Sequence, residues 1–303
     1  MASRRLPAAG ALTLEASIIR SPIEGLIRRH GLSACLLAPP LAFIAVLFLV
    51  PLGNVIWGSF FTPGFTLAHY ERIVSEPLYT SVLWTTLRIS IATSIACVVL
   101  GYCAAYLIAT VSESMRSFLM LLVVVPFFLS TLIRNYIWMA LLQRTGVVNK
   151  LLMAIGVIDE PLPLMYNETG VIVVMVNMLL PYTIFPIVTS LLAIPRDLYA
   201  ASASLGGNSA RTFVRVTLPL SLPGVVAGAL LVFIVSLGFF ITPALVGGPR
   251  QMMISNLIDF NVRQVLNWPF AFALANALLV GTLVLYFLYS RAVERRMPRN
   301  AIL

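Results

Sequence analysis

Uncharged apolar runs alternate with short polar stretches along the whole chain. A helix needs roughly 17–25 apolar residues to cross a bilayer. Six runs qualify: Leu36–Ile56, Ile89–Ala109, Ser117–Leu142, Thr169–Leu192, Gly224–Val246 and Trp268–Tyr289. The third carries one charge, Arg134. Pro126, Pro181, Pro186 and Pro243 fall inside runs, where neighbouring helices can satisfy the carbonyls that proline frees. The first run follows a basic stretch, as a signal peptide would. It is too long for one and lacks a small-residue cleavage site, so it reads as a retained span. The pattern predicts an all-α integral membrane protein with six transmembrane helices. Gly224/Gly228, Ala92/Ala96 and Gly101/Ala105 are small-x-x-x-small pairs. They let helices approach closely, within the chain or between subunits.

Composition strengthens this picture. The 303 residues are 60% hydrophobic and 10% charged, with mean hydropathy +0.97. Soluble domains carry about 25% charged residues. The net charge of +9 would suit nucleic acid, but its distribution argues against that partner. The excess lies at the two ends and in one internal loop, beside apolar runs, as membrane topology requires. One face takes the N-terminal tail, the loops after the second and fourth spans, and the C-terminal tail. It holds thirteen basic and five acidic residues, a net of +8. The other face, with Arg134 counted to it, holds six of each, and Arg88 at the outer start of the second span is the last cation. The positive face is expected to be cytoplasmic. Six spans then put both termini there, in a multi-pass membrane protein in contact with lipid.

The chemistry is sparse. No aspartate or glutamate lies in any of the six runs, which disfavours a carrier driven by protons or sodium. The only lysine, Lys150, follows Asn149, so there is no G-x-x-x-x-G-K-[ST] phosphate loop. His30 and His69 are isolated, and Cys35, Cys97 and Cys103 are odd in number and lie in or beside apolar runs. No G-x-S-x-G or H-E-x-x-H motif occurs. No catalytic residue, metal site or cofactor is expected, and uphill transport would draw its energy from another subunit. Two competing classes are a self-contained channel or secondary carrier and a membrane enzyme. Transport by the purified chain in ATP-free vesicles would favour the first, and the second needs a catalytic cluster.

The segment Ala193–Gly224, AIPRDLYAASASLGGNSARTFVRVTLPLSLPG, is too long and too patterned for a plain connector. It predicts two short helices joined by a bend. Leu198–Leu205 is rich in alanine and serine, so another surface can approach its backbone. Gly206 and Gly207 can end that helix with positive φ, and Asn208 or Ser209 can cap the next. Pro219 should close it. Such a pair suits docking into a groove on a partner. An amphipathic helix on anionic lipid, anchored by Arg211 and Arg215, is the alternative.

This loop resembles that of inner-membrane permease subunits of bacterial ATP-binding-cassette importers, whose pattern is E-A-A-x-x-x-G-x9-I-x-L-P. Ala200, Ala201 and Ser202 stand at E-A-A, Gly206 at the glycine, and Val216, Leu218 and Pro219 at I-x-L-P. The glycine, the spacing and the Leu-Pro pair match. Ala200, Ser202 and Val216 depart from the pattern. Further stretches are similar to polyamine (spermidine/putrescine) permeases: Ser130–Leu142, Gly156–Leu162, Leu218–Leu231, Gly247–Leu257 and Asn267–Phe270.

The resemblance implies a type I ABC-importer permease fold with no ATP hydrolysis of its own. It also implies that the loop docks on the ATPase subunit. The implied partners are a second permease subunit, two ATP-binding subunits and a periplasmic solute-binding protein. The expected organisation is a cytoplasmic tail over 1–31, a first span and periplasmic loop over 32–83, and a permease core over 84–290. The coupling loop lies at 193–224, and a second cytoplasmic tail covers 291–303. Arg134 is a candidate for the transport path, because a charge near a span is costly. It can equally anchor at the outer interface with Tyr136 and Trp138.

Overall fold

The structure, a computed structural model, describes residues 37–61 and 64–294. The N-terminal tail, Cys35, His30 and the arginines at 295, 296 and 299 lie outside the described residues. All regular structure among the described residues is helical. Two compact units are divided between Trp57 and Gly58. Helix α1 covers Leu37–Phe60, 24 predominantly apolar residues.

The larger unit continues with α2 (Ala68–Ser75), α3 (Pro77–Thr110), α4 (Glu113–Val124), α5 (Thr131–Leu142) and α6 (Val147–Ala154). Then come α7 (Glu168–Leu192), α8 (Arg196–Ser204), α9 (Ser209–Thr212) and α10 (Leu218–Leu237). Helices α11 (Ile241–Val246), α12 (Ile254–Phe260) and α13 (Trp268–Glu294) complete it. Among the described residues, five helices are long and apolar enough to cross a membrane, and a bent pair makes six if it counts as one span.

Helices α3, α7 and α10 form the central packing. Cys97 Sγ points to the Val176 carbonyl at 3.8 Å, and Arg88 of α3 pairs with Glu168 at the start of α7. Ala105 and Ile187 share a buried cluster near the other ends. These contacts make α3 and α7 parallel. Helix α10 runs against both: Tyr102 meets Ser221 at 3.0 Å, and Ser94 Oγ donates to the Ala229 carbonyl at 3.0 Å. The small residues make the approach possible. A Cβ on Gly101 would lie 3.1 Å from Thr183, and one on Gly228 would lie 3.0 Å from the Thr183 Cα. A Cβ on Gly224 would come within 2.5 Å of Ser190 Oγ. The pairs Gly224/Gly228 and Gly101/Ala105 therefore pack helices within the chain, with both helix backbones close.

Four elements depart from the sequence pattern. The third span, expected as one helix over Ser117–Leu142, is broken. A 3-10 turn at Val125–Phe128 ends α4, and the two limbs meet at 98°. Pro126 cannot donate to the preceding turn, and Leu129 and Ser130 take extended backbone conformations that start α5 afresh.

The fifth span, expected over Gly224–Val246, ends at Leu237. Pro243 has no N–H for the Phe239 carbonyl. Ser255 Oγ donates to that carbonyl at 2.7 Å, and Asn256 Nδ2 donates to the next, Phe240, at 2.9 Å.

Pro219, expected to close a short helix, instead sits in the first turn of α10. One continuous 29-residue helical stretch runs from Ser209 to Leu237. A π-turn over Phe213–Thr217 resets the hydrogen-bond register just before the proline, with Leu218 N–H bonding to the Phe213 carbonyl. A proline early in that reset register loses no necessary bond.

Helix α3 begins well before its apolar run. Its 34 residues span about 51 Å, against a hydrocarbon core of about 30 Å. Its first turns pack on α13, where Tyr79 lies 4.9 Å from the Phe270 ring. Arg72 of α2 sits over the same ring at 4.9 Å and bonds to Glu76 at 2.8 Å.

Candidate functional site

Beyond α7 the chain turns at buried Ile194 and extended Pro195, and α8 begins. Past its nine residues, Arg196–Ser204, the backbone enters the left-handed region at Gly206, φ +72°. Its N–H bonds to the Ala203 carbonyl at 3.0 Å, and the Gly207 N–H bonds to the Ser202 carbonyl at 2.9 Å. An L side chain is costly at that φ, which explains glycine there. Asn208 caps the next helix, its Oδ1 accepting from the Arg211 N–H at 2.8 Å. The bend and the cap follow the local chemistry read from the sequence.

The motif residues separate into two groups. Ala200 and Ala201 are exposed on α8, Ser202 is half-buried, and Gly206 is exposed at the bend. Leu205 beside it is 86% exposed, an apolar side chain standing at the tip. Val216 and Leu218 are half-buried in the π-turn and at the start of α10, and Pro219 there is exposed. This second group belongs to the helix that enters the central packing, not to the projecting tip. Phe213 seats it edge-on against Tyr102 at 5.9 Å and Tyr106 at 5.4 Å.

A cleft of about 410 Å³ lies under α8, at the ends of α3 and α7, lined by Tyr106, Arg116, Arg196 and Tyr199 among others. Arg116 is engaged there. Its guanidinium donates to the carbonyls of Ile108 (3.3 Å), Ala109 (3.3 Å) and Val111 (3.4 Å). It thus satisfies the otherwise open C-terminus of α3.

At the opposite end of the central helices lies a cavity of about 440 Å³ that the linear pattern did not reveal. Tyr166, Phe240, Asn256, Asp259, Phe260 and Gln264 line it. Tyr166 has φ 59° and is held by its N–H bond to the Val246 carbonyl at 2.9 Å. A bulky residue in that region is strained, a condition concentrated at functional sites. Asp259 bonds to exposed Arg263 at 2.6 Å. Three aromatic rings, Tyr166, Phe240 and Phe260, thus share the lining with a carboxylate whose charge is met by Arg263. The stretch Gly247–Leu257 was visible in the sequence only as a likeness, without the cavity it helps to build.

Arg134, Tyr136 and Trp138 lie on α5, beyond the bend; Arg134 and Trp138, four residues apart, share one face, and Tyr136 lies on the other. Tyr136 is exposed. Trp138 Nε1 donates to Asn177 Oδ1 at 3.0 Å and packs against the core. Arg134 is half-buried, and its Nε has no hydrogen-bond partner. The neighbour Asn135 is fully buried and accepts from Thr242 Oγ1 at 2.7 Å.

Residues 97–299 match the family described as the inner membrane component of binding-protein-dependent transport systems. The chain belongs to that family. It is a multi-pass inner-membrane permease component. The spermidine/putrescine transport system permease protein PotB of Escherichia coli (strain K12) is 35% identical over 234 residues, which is 77% of this chain and 85% of that one. PotB of Haemophilus influenzae is 34% identical, over 84% of this chain and 88% of its own. The inner membrane ABC transporter permease protein YdcU of Escherichia coli (strain K12) is 30% identical, over 86% and 88%. A chain from a bacterial ABC transporter that imports the acidic polysaccharide alginate superimposes with a TM-score of 0.76 at 19% identity. That match covers 92% of this chain and all of the other. It shares the fold of an ABC-importer permease.

Proposed function

We propose that this permease forms half of the translocation path of an ATP-driven importer for polyamines of the spermidine/putrescine class. A second permease subunit completes the path. Two ATP-binding subunits supply the energy, and a periplasmic solute-binding protein delivers the solute. Helix α8 is the docking element for an ATP-binding subunit. The observation that carries this reading is the projecting tip, where a left-handed glycine presents a small-residue helix and an open Leu205. Ala200 stands where the family pattern has glutamate, and the partner permease supplies that carboxylate in the other docking loop. The substrate class rests on the relatives, and the three aromatic rings of the cavity, which suit an organic cation, support it. ATP hydrolysis resides outside this chain.

The test is uptake of labelled spermidine or putrescine into liposomes that contain the assembled importer. Uptake is expected to require ATP, the binding protein and this chain together. Uptake by this chain alone, without ATP, would overturn the reading in favour of a self-contained carrier.

In the same reading both termini face the cytoplasm, with the +8 face that the sequence defines. A reporter enzyme active only in the periplasm, fused after Leu303, should be silent, and one active only in the cytoplasm should be bright. The reverse pattern would sink the topology.

A further inference from the structure

We propose that the hydroxyl pair Ser202–Thr212 is a positioning clip that locks α8 to the helical stretch entering the membrane, so that the two move as one body during transport. This rests on the reading of α8 as the docking element.

The two oxygens are 2.7 Å apart, and the bond joins α8 to α9 across the bend. The surrounding backbone is equally close. A Cβ on Gly207 would lie 2.6 Å from Ser202 Oγ and 2.8 Å from the Ser202 carbonyl. Along the chain α8 connects to α9 through residues 205–208, two of them glycines, and α8 also touches the π-turn that follows α9. Glycine pairs lend a connection hinge freedom. Unclipped, a push on α8 would be absorbed at the bend. Clipped, the push reaches Thr212, and from there the helix is continuous to Leu237. Phe213, the next residue, bears on Tyr102 and Tyr106 of α3 and gives the stretch a fixed bearing. Ser202 stands where the family pattern has alanine, so the bond depends on a residue that departs from that pattern.

The clip is tested in liposomes with the complete importer, reading solute imported per ATP hydrolysed. Thr212→Val keeps the shape and removes the hydroxyl. The ratio is expected to fall about two- to tenfold, the range that one hydrogen bond commands, and Thr212→Ser is expected to restore it. A second arm uses Ser202→Cys with Thr212→Cys, in a background carrying Cys35→Ser and Cys103→Ser. Oxidised to the disulfide, this pair should import per ATP at least as well as the unmodified protein. Reduced, it should fall to the level of Thr212→Val. An unchanged ratio for Thr212→Val overturns the clip, as does arrest of transport in the oxidised pair, which would mean that the arms separate in each cycle. Should Thr212→Val fail to insert, the oxidised and reduced forms of one preparation decide. Co-purification of the unmodified chain with its ATP-binding subunit reads the docking assignment separately, because the clip predicts nothing about recovery.

Discussion

Gly224→Leu is expected to destabilise the helical core severely, lowering its melting temperature by roughly 6–12 °C in detergent. The position faces Ser190 and the Pro186 carbonyl of α7, and its Cβ alone would come 2.5 Å from Ser190 Oγ. Backbone cannot retreat as a flexible side chain can, and α7 is held from the other side by α3. Overpacking of this kind costs about 3 kcal/mol. For a unit of this size that corresponds to about 2–4 °C per kcal/mol. Gly281→Leu in α13 is the control, because a Cβ there meets nothing within 4 Å. Thermal unfolding followed by tryptophan fluorescence checks the pair. Equal melting of the two variants would refute the packing account.

Gly206→Val is expected to reduce transport and recovery of the ATP-binding subunit at least about tenfold, while membrane insertion stays intact. At φ +72° an L residue pays about 1–2 kcal/mol, and a β-branched one more. The bend would relax toward negative φ, and α8 would present a different face. Each 1.4 kcal/mol of lost docking is tenfold in affinity. Gly206→Asn is the informative companion, because asparagine tolerates the left-handed region. It should keep most of the recovery. The co-purified ATP-binding subunit is the measurement. Wild-type recovery with valine would remove Gly206 from the docking account.

The two variants differ in how far their positions could be read from the chain. The bend at Gly206 and the cap at Asn208 follow from local backbone chemistry, and a linear reading reaches them. The Gly224/Gly228 spacing announces close packing but not its partner, which is set by where α7 lies. The break after Leu237 was beyond reach for another reason. Hydropathy does not register hydrogen bonding, and the Phe239 and Phe240 carbonyls are taken by Ser255 and Asn256 from α12. Proline usually ends a helix, whereas at Pro219 the π-turn has already shifted the register. The aromatic cavity needs Tyr166, Phe240 and Asp259 from three separated stretches. Ser202 and Thr212 lie ten residues apart. No periodicity links such residues before the chain is folded.

Arg116 serves two stages in the life of the chain. While the nascent polypeptide is being threaded into the bilayer, its charge helps to hold the short turn after α3 on the side of synthesis proposed above. Once the helices have assembled, the same guanidinium is committed to three carbonyls at the end of α3. Orientation asks only for a cation, which lysine would also provide. Finishing the helix asks for a planar fork with several donors, which lysine lacks. The two demands fall on one codon, so an exchange that is silent during biogenesis would still leave the mature helix end frayed.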